Sequence, residues 1–267
     1  MLSSRQWQRI EVPDIRTLPA PVYLRSQELA EREMFPVHTH DWHQFVYATA
    51  GTMVVTVGDC WYVISPEHAI WVPAGMPHTV GAMHGASFRN LYVASDAAAD
   101  LPGVGTQLQV TPLLRELVLE FERLHDPHLQ QPYSRQISQV LLAHLQRLPC
   151  LDFHLPWPQT PMLLRLCEAL FQSPADERSL DDWGNQLGAS ARTLSRRFER
   201  ETGITFREWR YRLRLFLALE WLANGQSVTA VALELGYNTV SAFTHMFHQQ
   251  TGSTPSQWRG RGGHPES

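Results

Sequence analysis

The feature that most constrains this chain is a repeat in its C-terminal third. Leu187-Gly188 is followed by Leu194, Phe198 and Thr202-Gly203, and Leu235-Gly236 by Phe243, Phe247 and Thr251-Gly252. From the large apolar residue onward the two copies superpose at an offset of 49 residues. Each reads as a helix, a glycine-containing turn and a second helix with a Leu/Phe-x-x-x-Phe inner face, because residues four apart share one side of a helix. That is the outline of a helix-turn-helix, whose second helix keeps its polar side free.

Local start and stop signals place helices around the repeat. One is expected over 162–172. Ser179-Leu-Asp-Asp182 opens another that Gly188 closes, and Ser190 caps a third that Gly203 ends. Thr205-Phe-Arg-Glu208 is a capping box for a long helix stopped at Asn224-Gly225, and short helices follow near 228–235 and 239–250. An all-α domain is therefore expected over 162–259, with a disordered tail at 260–267.

Charge agrees with a nucleic-acid partner once it is resolved along the chain. The net charge is -4, yet residues 190–214 hold eight Arg against three Glu, and no lysine occurs anywhere. Off the apolar faces, Arg192, Thr193, Ser195 and Arg196 in the first copy and Val240, Ser241, Thr244 and His245 in the second are the candidate contacts to double-stranded DNA. A major groove admits one α-helix, and Arg grips phosphate or guanine with two N–H groups. The second copy is poorer in charge, so shape and apolar contact are expected there. A stiff 206–223 connector would let the pair read successive grooves about 34 Å apart.

These residues carry a resemblance. Leu187-Gly-Ala-Ser-Ala-Arg-Thr-Leu-Ser-Arg-Arg-Phe198, Glu201-Thr-Gly203, Arg212-Leu-Arg214, Ala232-x-x-x-Gly236-Tyr, Ser241-x-Phe243-x-x-x-Phe247 and Gly252-x-x-Pro255 together resemble the DNA-binding domain of the AraC/XylS family over about 162–259. The resemblance implies a sequence-specific transcription regulator and not an enzyme. It further implies that the first helix-turn-helix reads bases and the second reads bases or backbone, with RNA polymerase as an open further partner. Val240 and His245 stand where family members have long polar or basic residues.

The N-terminal half has another character. Phe45-Val-Tyr47, Met53-Val-Val-Thr-Val57, Trp61-Tyr-Val-Ile64 and Ile70-Trp-Val72 are β-rich runs between Pro36 and about Val93, punctuated by Gly51, Gly58-Asp59, Ser65-Pro66 and Pro73-Ala-Gly75. Their regular spacing predicts an antiparallel barrel or jelly roll. Thr111-Pro112 opens a helix with Leu113, Leu114, Leu117, Val118, Phe121 and Leu124 at helical spacing, and a second helix is expected from about Ser134 to Arg147. This helical pair at 111–147 is expected to cover the barrel or, preferentially, to pair with a second subunit as a homodimer. Pro149, Pro156, Pro158 and Pro161 mark a linker at 149–161, which makes 1–148 a sensor and dimerisation domain.

Histidines cluster in the strand region. His38-x-His40-x-x-x-Gln44 with Gly51, and Pro73-x-Gly75-x-x-His78, resemble the two motifs of cupin barrels. In an extended strand His38, His40 and Gln44 fall on one face, with His78 completing the set from a neighbouring strand. Three imidazoles and an amide suit a divalent transition metal such as Fe, Mn, Ni or Zn, although Gln44 replaces the acid usual in metal-binding cupins. The same residues could form a polar pocket for an organic effector, with Trp42 and Trp71 lining an apolar cavity, or the barrel could serve dimerisation alone. His43 is expected to face solvent. A metal-dependent cupin enzyme is a rival reading, but no acid, base or substrate-gripping set accompanies the histidines. Met1 to Arg9 lacks the apolar core of a secretory signal, and no stretch reaches the roughly 18 apolar residues of a spanning helix, so a cytoplasmic protein without a membrane partner is expected. Cys60, Cys150 and Cys167 form no Cys-x-x-Cys pair and are expected to be buried small apolar groups.

Overall fold

Glycine turns and β-branched runs give the N-terminal half its strands. The computed structural model describes residues 7–98, 101–151 and 153–261, which fall into two compact units, one of 7–58 and 62–151 and the other of 59–61 and 153–261. The strands are β1 (Gln8–Arg9), β2 (Val22–Leu29), β3 (Glu33–His38), β4 (His43–Gly51), β5 (Met53–Val57), β6 (Cys60–Ile64), β7 (His68–Val72), β8 (His78–Ala82), β9 (Ala86–Val93), β10 (Thr106–Gln109) and β11 (Cys150–Leu151), all in the first unit except the first two residues of β6. One sheet runs β1-β3-β8-β5-β6 and the other β11-β10-β7-β4-β9-β2. β1 lies parallel to β3, while β3 with β8, β8 with β5, β2 with β9, β9 with β4, β4 with β7 and β7 with β10 pair antiparallel.

Among the described residues strand structure thus begins at Gln8 and includes a full β2, whereas the sequence pattern places its start at Pro36. β2 pairs with β9 from Val22↔Val93 to Leu29↔Ala86. Its sequence, VYLRSQEL, carries four polar residues in a row, so it owes its strand to the neighbour rather than to its own periodicity.

Two helices follow β10, α1 (Pro112–Arg123) and α2 (Pro132–Leu145). Thr111 caps α1 by accepting from the Leu114 N–H, with Pro112 in the first turn where its missing donor costs nothing. Leu114, Val118 and Phe121 of α1 and Leu141 and Leu145 of α2 share one buried cluster with Phe45, Tyr47, Trp71, Leu91 and Val93 of the sheet. Each such side chain contributes about 1.5–3 kcal/mol when fully buried. The inner stripes therefore cover the barrel, against the preference for a second subunit; Leu113, Leu119 and Val140 remain exposed on the outer faces at 54%, 36% and 47%.

The second unit is helical: α3 (Pro161–Gln172), α4 (Leu180–Leu187), α5 (Ala191–Thr202), α6 (Phe206–Ala223), α7 (Val228–Glu234), α8 (Val240–Thr251) and α9 (Pro255–Arg261). α9 extends two residues into the tail expected at 260–267, and 262–267 lie outside the described residues. On either side of position 152, which lies outside the described residues, the expected 149–161 linker is packed within its own unit. Cys150–Leu151 pairs with β10 in the first unit, while in the second Leu155 and Trp157 are buried and the Trp209 indole N–H donates to the Pro156 carbonyl at 2.7 Å. Of the cysteines only Cys167 is buried; Cys60 is half-buried and Cys150 exposed. Among the described residues, no helix is long and apolar enough to cross a membrane.

Candidate DNA interface and sensor site

The two helix-turn-helix copies repeat down to single hydrogen bonds. α5 and α8 each contain 12 residues, start 49 positions apart, and are capped by Ser190 accepting from Thr193 N–H and by Thr239 accepting from Ala242 N–H. Both end on a left-handed glycine, Gly203 with φ 74° and Gly252 with φ 68°. In each last turn a threonine hydroxyl bridges two carbonyls: Thr202 to Phe198 at 2.8 Å and Ile204 at 3.1 Å, Thr251 to Phe247 at 2.9 Å and Ser253 at 3.1 Å. The turns match as well, since the Ala189 N–H reaches back to Gly184 at 3.0 Å and the Tyr237 N–H to Ala232 at 2.9 Å. In the first turn the approach is so close that a Cβ on Gly184 would lie 2.4 Å from the Ala189 oxygen.

Apolar anchors leave the other sides of these helices to solvent. Leu194, Phe198, Phe243 and Phe247 are completely buried, with Phe198 set edge-on to Phe206 and Trp209 and Phe247 edge-on to Trp258. Arg192, Thr193 and Arg196 are exposed and Ser195 is half-buried; Val240, Ser241 and His245 are exposed and Thr244 is half-buried. Arg197 and Arg200 join Thr193 and Arg196 along one open groove of α5. Neither is among the residues expected from the sequence, although Arg200 lies one turn beyond Arg196 on the same face. On α8 the positions equivalent to Arg192, Arg196, Arg197 and Arg200 are Ser241, His245, Met246 and Gln249.

The histidine site forms where β3, β4 and β8 meet. His38 ends β3 directly opposite His78, the first residue of β8, His40 lies in the loop after it, and Gln44 is the second residue of β4. A turn between strands, not alternation along a single strand, brings His38, His40 and Gln44 together. One ring nitrogen from each of His38, His40 and His78 lies within 4.8 Å of the others. The three Nδ1 atoms each meet a backbone carbonyl: His38 that of Pro36 at 2.8 Å, His40 that of Trp42 at 2.7 Å, His78 that of Met76 at 2.9 Å. A carbonyl only accepts, so each Nδ1 carries the proton and each Nε2 presents a lone pair. Gln44 Oε1 stands 2.8 Å from His40 Nε2 and 3.0 Å from His78 Nε2.

Burial disfavours the charged form of His78 and His38. The His78 pKa falls to about 3, through desolvation first and the neighbouring His38 second. That of His38 is lowered by burial and then by His40. Neutral imidazoles with inward lone pairs and outward N–H groups held by carbonyls are the form that ligates a metal. Around a tetrahedral ion, bonds of about 2.0–2.1 Å put ligands about 3.3 Å apart, so a modest inward closing of the rings would suit one.

Trp42 belongs to this site, its ring stacked on His40 at 5.1 Å and 6° with its Nε1 buried and unpartnered among the described residues. Trp71 does not. It is fully buried beneath α1 and α2, on the sheet face opposite Gln44, and its indole donates to the Pro102 carbonyl at 2.8 Å. His43, expected in solvent, stacks on Trp71 at 5.0 Å and accepts from the Ala74 N–H at 3.2 Å. Two further residues are absent from the sequence-based set, Asn90 and Gln27, which continue a chain of amides outward from Gln44. The signal for Asn90 was a polar residue between Phe88 and Tyr92 at alternate positions of its strand.

A β-rich unit with a recessed polar site and a helical unit with two helix-turn-helix copies are the two parts of a DNA-binding protein that carries a separate sensor-type domain. Comparison with known proteins agrees: residues 19–195 match the family description "AraC-like ligand binding domain" and residues 183–261 match "Helix-turn-helix domain". The HTH-type transcriptional regulator NimR of Escherichia coli K12 is 32% identical over 226 residues, covering 85% of this chain and 82% of that one. The HTH-type transcriptional activator RhaR of the same organism is 22% identical over 252 residues, covering 85% and 88%. Among solved structures, ToxT of Vibrio cholerae matches with a TM-score of 0.38 and 10% identity, over 90% of this chain and 98% of that one. The chain belongs to the AraC family of DNA-binding transcription regulators and carries that family's ligand-binding domain.

Proposed function

We propose that the chain is a one-component regulator, active in the cytoplasm as a homodimer, which lays α5 and α8 into successive major grooves of one operator. Arg192, Thr193, Ser195 and Arg196 are the contacts of the first helix; Val240, Ser241, Thr244 and His245 are those of the second. The observation that carries this reading is the atom-level repeat of two capped 12-residue helices, each with its aromatic side buried and its polar side open. The 18-residue α6 between the copies is about 27 Å long, a span comparable to one turn of duplex. RNA polymerase is a further partner consistent with the relatives' roles, and the exposed outer face of α1 suits the second subunit.

For the signal, the barrel site supports a divalent transition metal (Fe, Mn, Ni or Zn) on His38, His40 and His78 with the Gln44 carbonyl. A second reading rests on Trp42, whose stacked ring and unpartnered N–H would suit a planar organic effector carrying an acceptor. Sequencing the DNA that full-length protein retains from random duplexes, with Zn²⁺ and then with chelator, tests both halves. Enrichment of one bipartite site whose affinity changes with the metal is expected. Retention without sequence preference would refute the operator reading. A preference indifferent to metal but altered by planar ligands that quench Trp fluorescence would favour the organic effector.

A further inference from the structure

Three amides lie side by side on three neighbouring strands, Gln27 on β2, Asn90 on β9 and Gln44 on β4. Gln44 Nε2 donates to Asn90 Oδ1 at 2.7 Å, and Asn90 Nδ2 donates to Gln27 Oε1 at 2.5 Å. Gln44 and Asn90 are 3% and 2% exposed, so their hydrogen bonds are not exchanged with water. In this sense of the chain Gln44 and Asn90 each donate an N–H outward, and the last carbonyl, Gln44 Oε1, points inward at the Nε2 atoms of His40 and His78.

That inward contact sets acceptor against acceptor. Both Nδ1 protons are committed to backbone carbonyls, so in the neutral rings both Nε2 atoms are lone pairs. A carbonyl oxygen 2.8–3.0 Å from two lone pairs is repelled by them unless a proton or a metal cation lies between. The opposite sense has no such conflict. With all three amides reversed, the two Gln44 N–H groups face the two Nε2 atoms, Gln44 Oε1 accepts from Asn90, and Asn90 Oδ1 accepts from Gln27. The chain has two self-consistent polarities, one fitted to a cation and one to an empty ring of imidazoles.

We infer that Gln27 and Asn90 are positioning residues which set the polarity of Gln44, and that the three-amide chain reverses when a transition-metal cation binds His38, His40 and His78. The inference rests on the metal reading of that site and extends it from the ligands to β2, the edge strand of its sheet.

Substitution at position 90 separates polarity from packing. Asn90→Asp supplies acceptors only, which fixes the Gln44 N–H group outward and its oxygen inward, the metal-binding sense. Asn90→Leu has a similar volume and offers neither donor nor acceptor. Titration of the full chain with Co²⁺, followed by its visible absorption, and with Zn²⁺, followed by calorimetry, should show Asn90→Asp binding at least as tightly as the native protein. Asn90→Leu should bind about 10–100-fold more weakly, the usual cost of losing a residue that orients a ligand. Gln27→Met should lie between, and thermal unfolding checks that each variant folds. In ¹⁵N-labelled native protein, the side-chain amide resonances of Gln44, Asn90 and Gln27 should move together on adding Zn²⁺. Native protein that takes up neither ion overturns the metal reading and the relay with it. Native protein that binds while Asn90→Asp and Asn90→Leu weaken equally, or while the Asn90 amide stays unmoved, overturns the relay and leaves the metal reading standing.

Discussion

Arg196→Ala measures what α5 does on DNA. Three arginines of that helix, Arg192, Arg196 and Arg200, are exposed, whereas their equivalents on α8 are Ser241, His245 and Gln249. The fixed positive charge of the reading pair therefore resides on α5. If all three hold phosphates, the slope of log K against log salt from this helix is about -2.7, and a fourfold rise in salt weakens binding by about 40-fold. Removing one such contact lowers the slope to about -1.8 and the loss to about 12-fold. If Arg196 reads a guanine instead, the slope stays unchanged and affinity for the operator falls by about 1–3 kcal/mol, with discrimination relaxed at one base pair. Fluorescence anisotropy on the retained operator, across a salt series, distinguishes the two. An unaltered slope together with unaltered affinity removes Arg196 from the interface. A slope that drops as much on Gln249→Ala would refute the assignment of charge to the first helix.

Other perturbations follow from the same geometry. Val240 is 39% exposed on α8, and if it meets a thymine methyl, replacing thymine by uracil in its half-site costs about 0.8 kcal/mol; Val240→Ala should erase that difference, and an equal loss in both half-sites would contradict it. Gly184→Ala places a Cβ 2.4 Å from backbone, so calorimetry should show a loss of about 1–3 kcal/mol in the DNA-binding unit, with weaker operator binding; unchanged melting would show that the turn yields freely. Burial pushes the Glu220 carboxyl up from 4.5 to about 7. The folded state then holds this proton more tightly than the unfolded one, so stability fully present below about pH 4.5 is lost as pH rises through 7, on the order of 3 kcal/mol in all. Glu220→Gln should remove that slope from the melting profile of the second unit, and a native profile that rises across this window would disprove the shift.

The DNA-binding half was legible because its information is local. Ser179, Ser190 and Thr205 cap helices within three residues of themselves, and Gly188, Gly203 and Gly252 stop them by adopting a conformation other residues avoid. The 49-residue repeat then tied two such local patterns together, so the observed bounds of α5 and α8 lie within a residue or so of those expected. α9 was lost because Pro255 opens a helix too short to show a period, and Trp258 is held by a distant partner, the Leu219 carbonyl.

In the sensor half the deciding partners are far apart in the chain, and local pattern no longer suffices. Alternation along one strand groups the right histidines for the wrong physical reason, because the chain turns after His38 and returns as β4, with His78 supplied across the β3–β8 ladder. Trp42 and Trp71 looked alike as aromatic neighbours of the motifs, yet one stacks on a candidate ligand and the other lies under α1, since only sheet pairing fixes which face a side chain takes. The same limit hid Asn90, whose hydrogen-bond partners Gln44 and Gln27 lie 46 and 63 positions away. A polar side chain so deeply buried must find its hydrogen bonds somewhere, and at this position the strand order alone brings donor, acceptor and histidine into line.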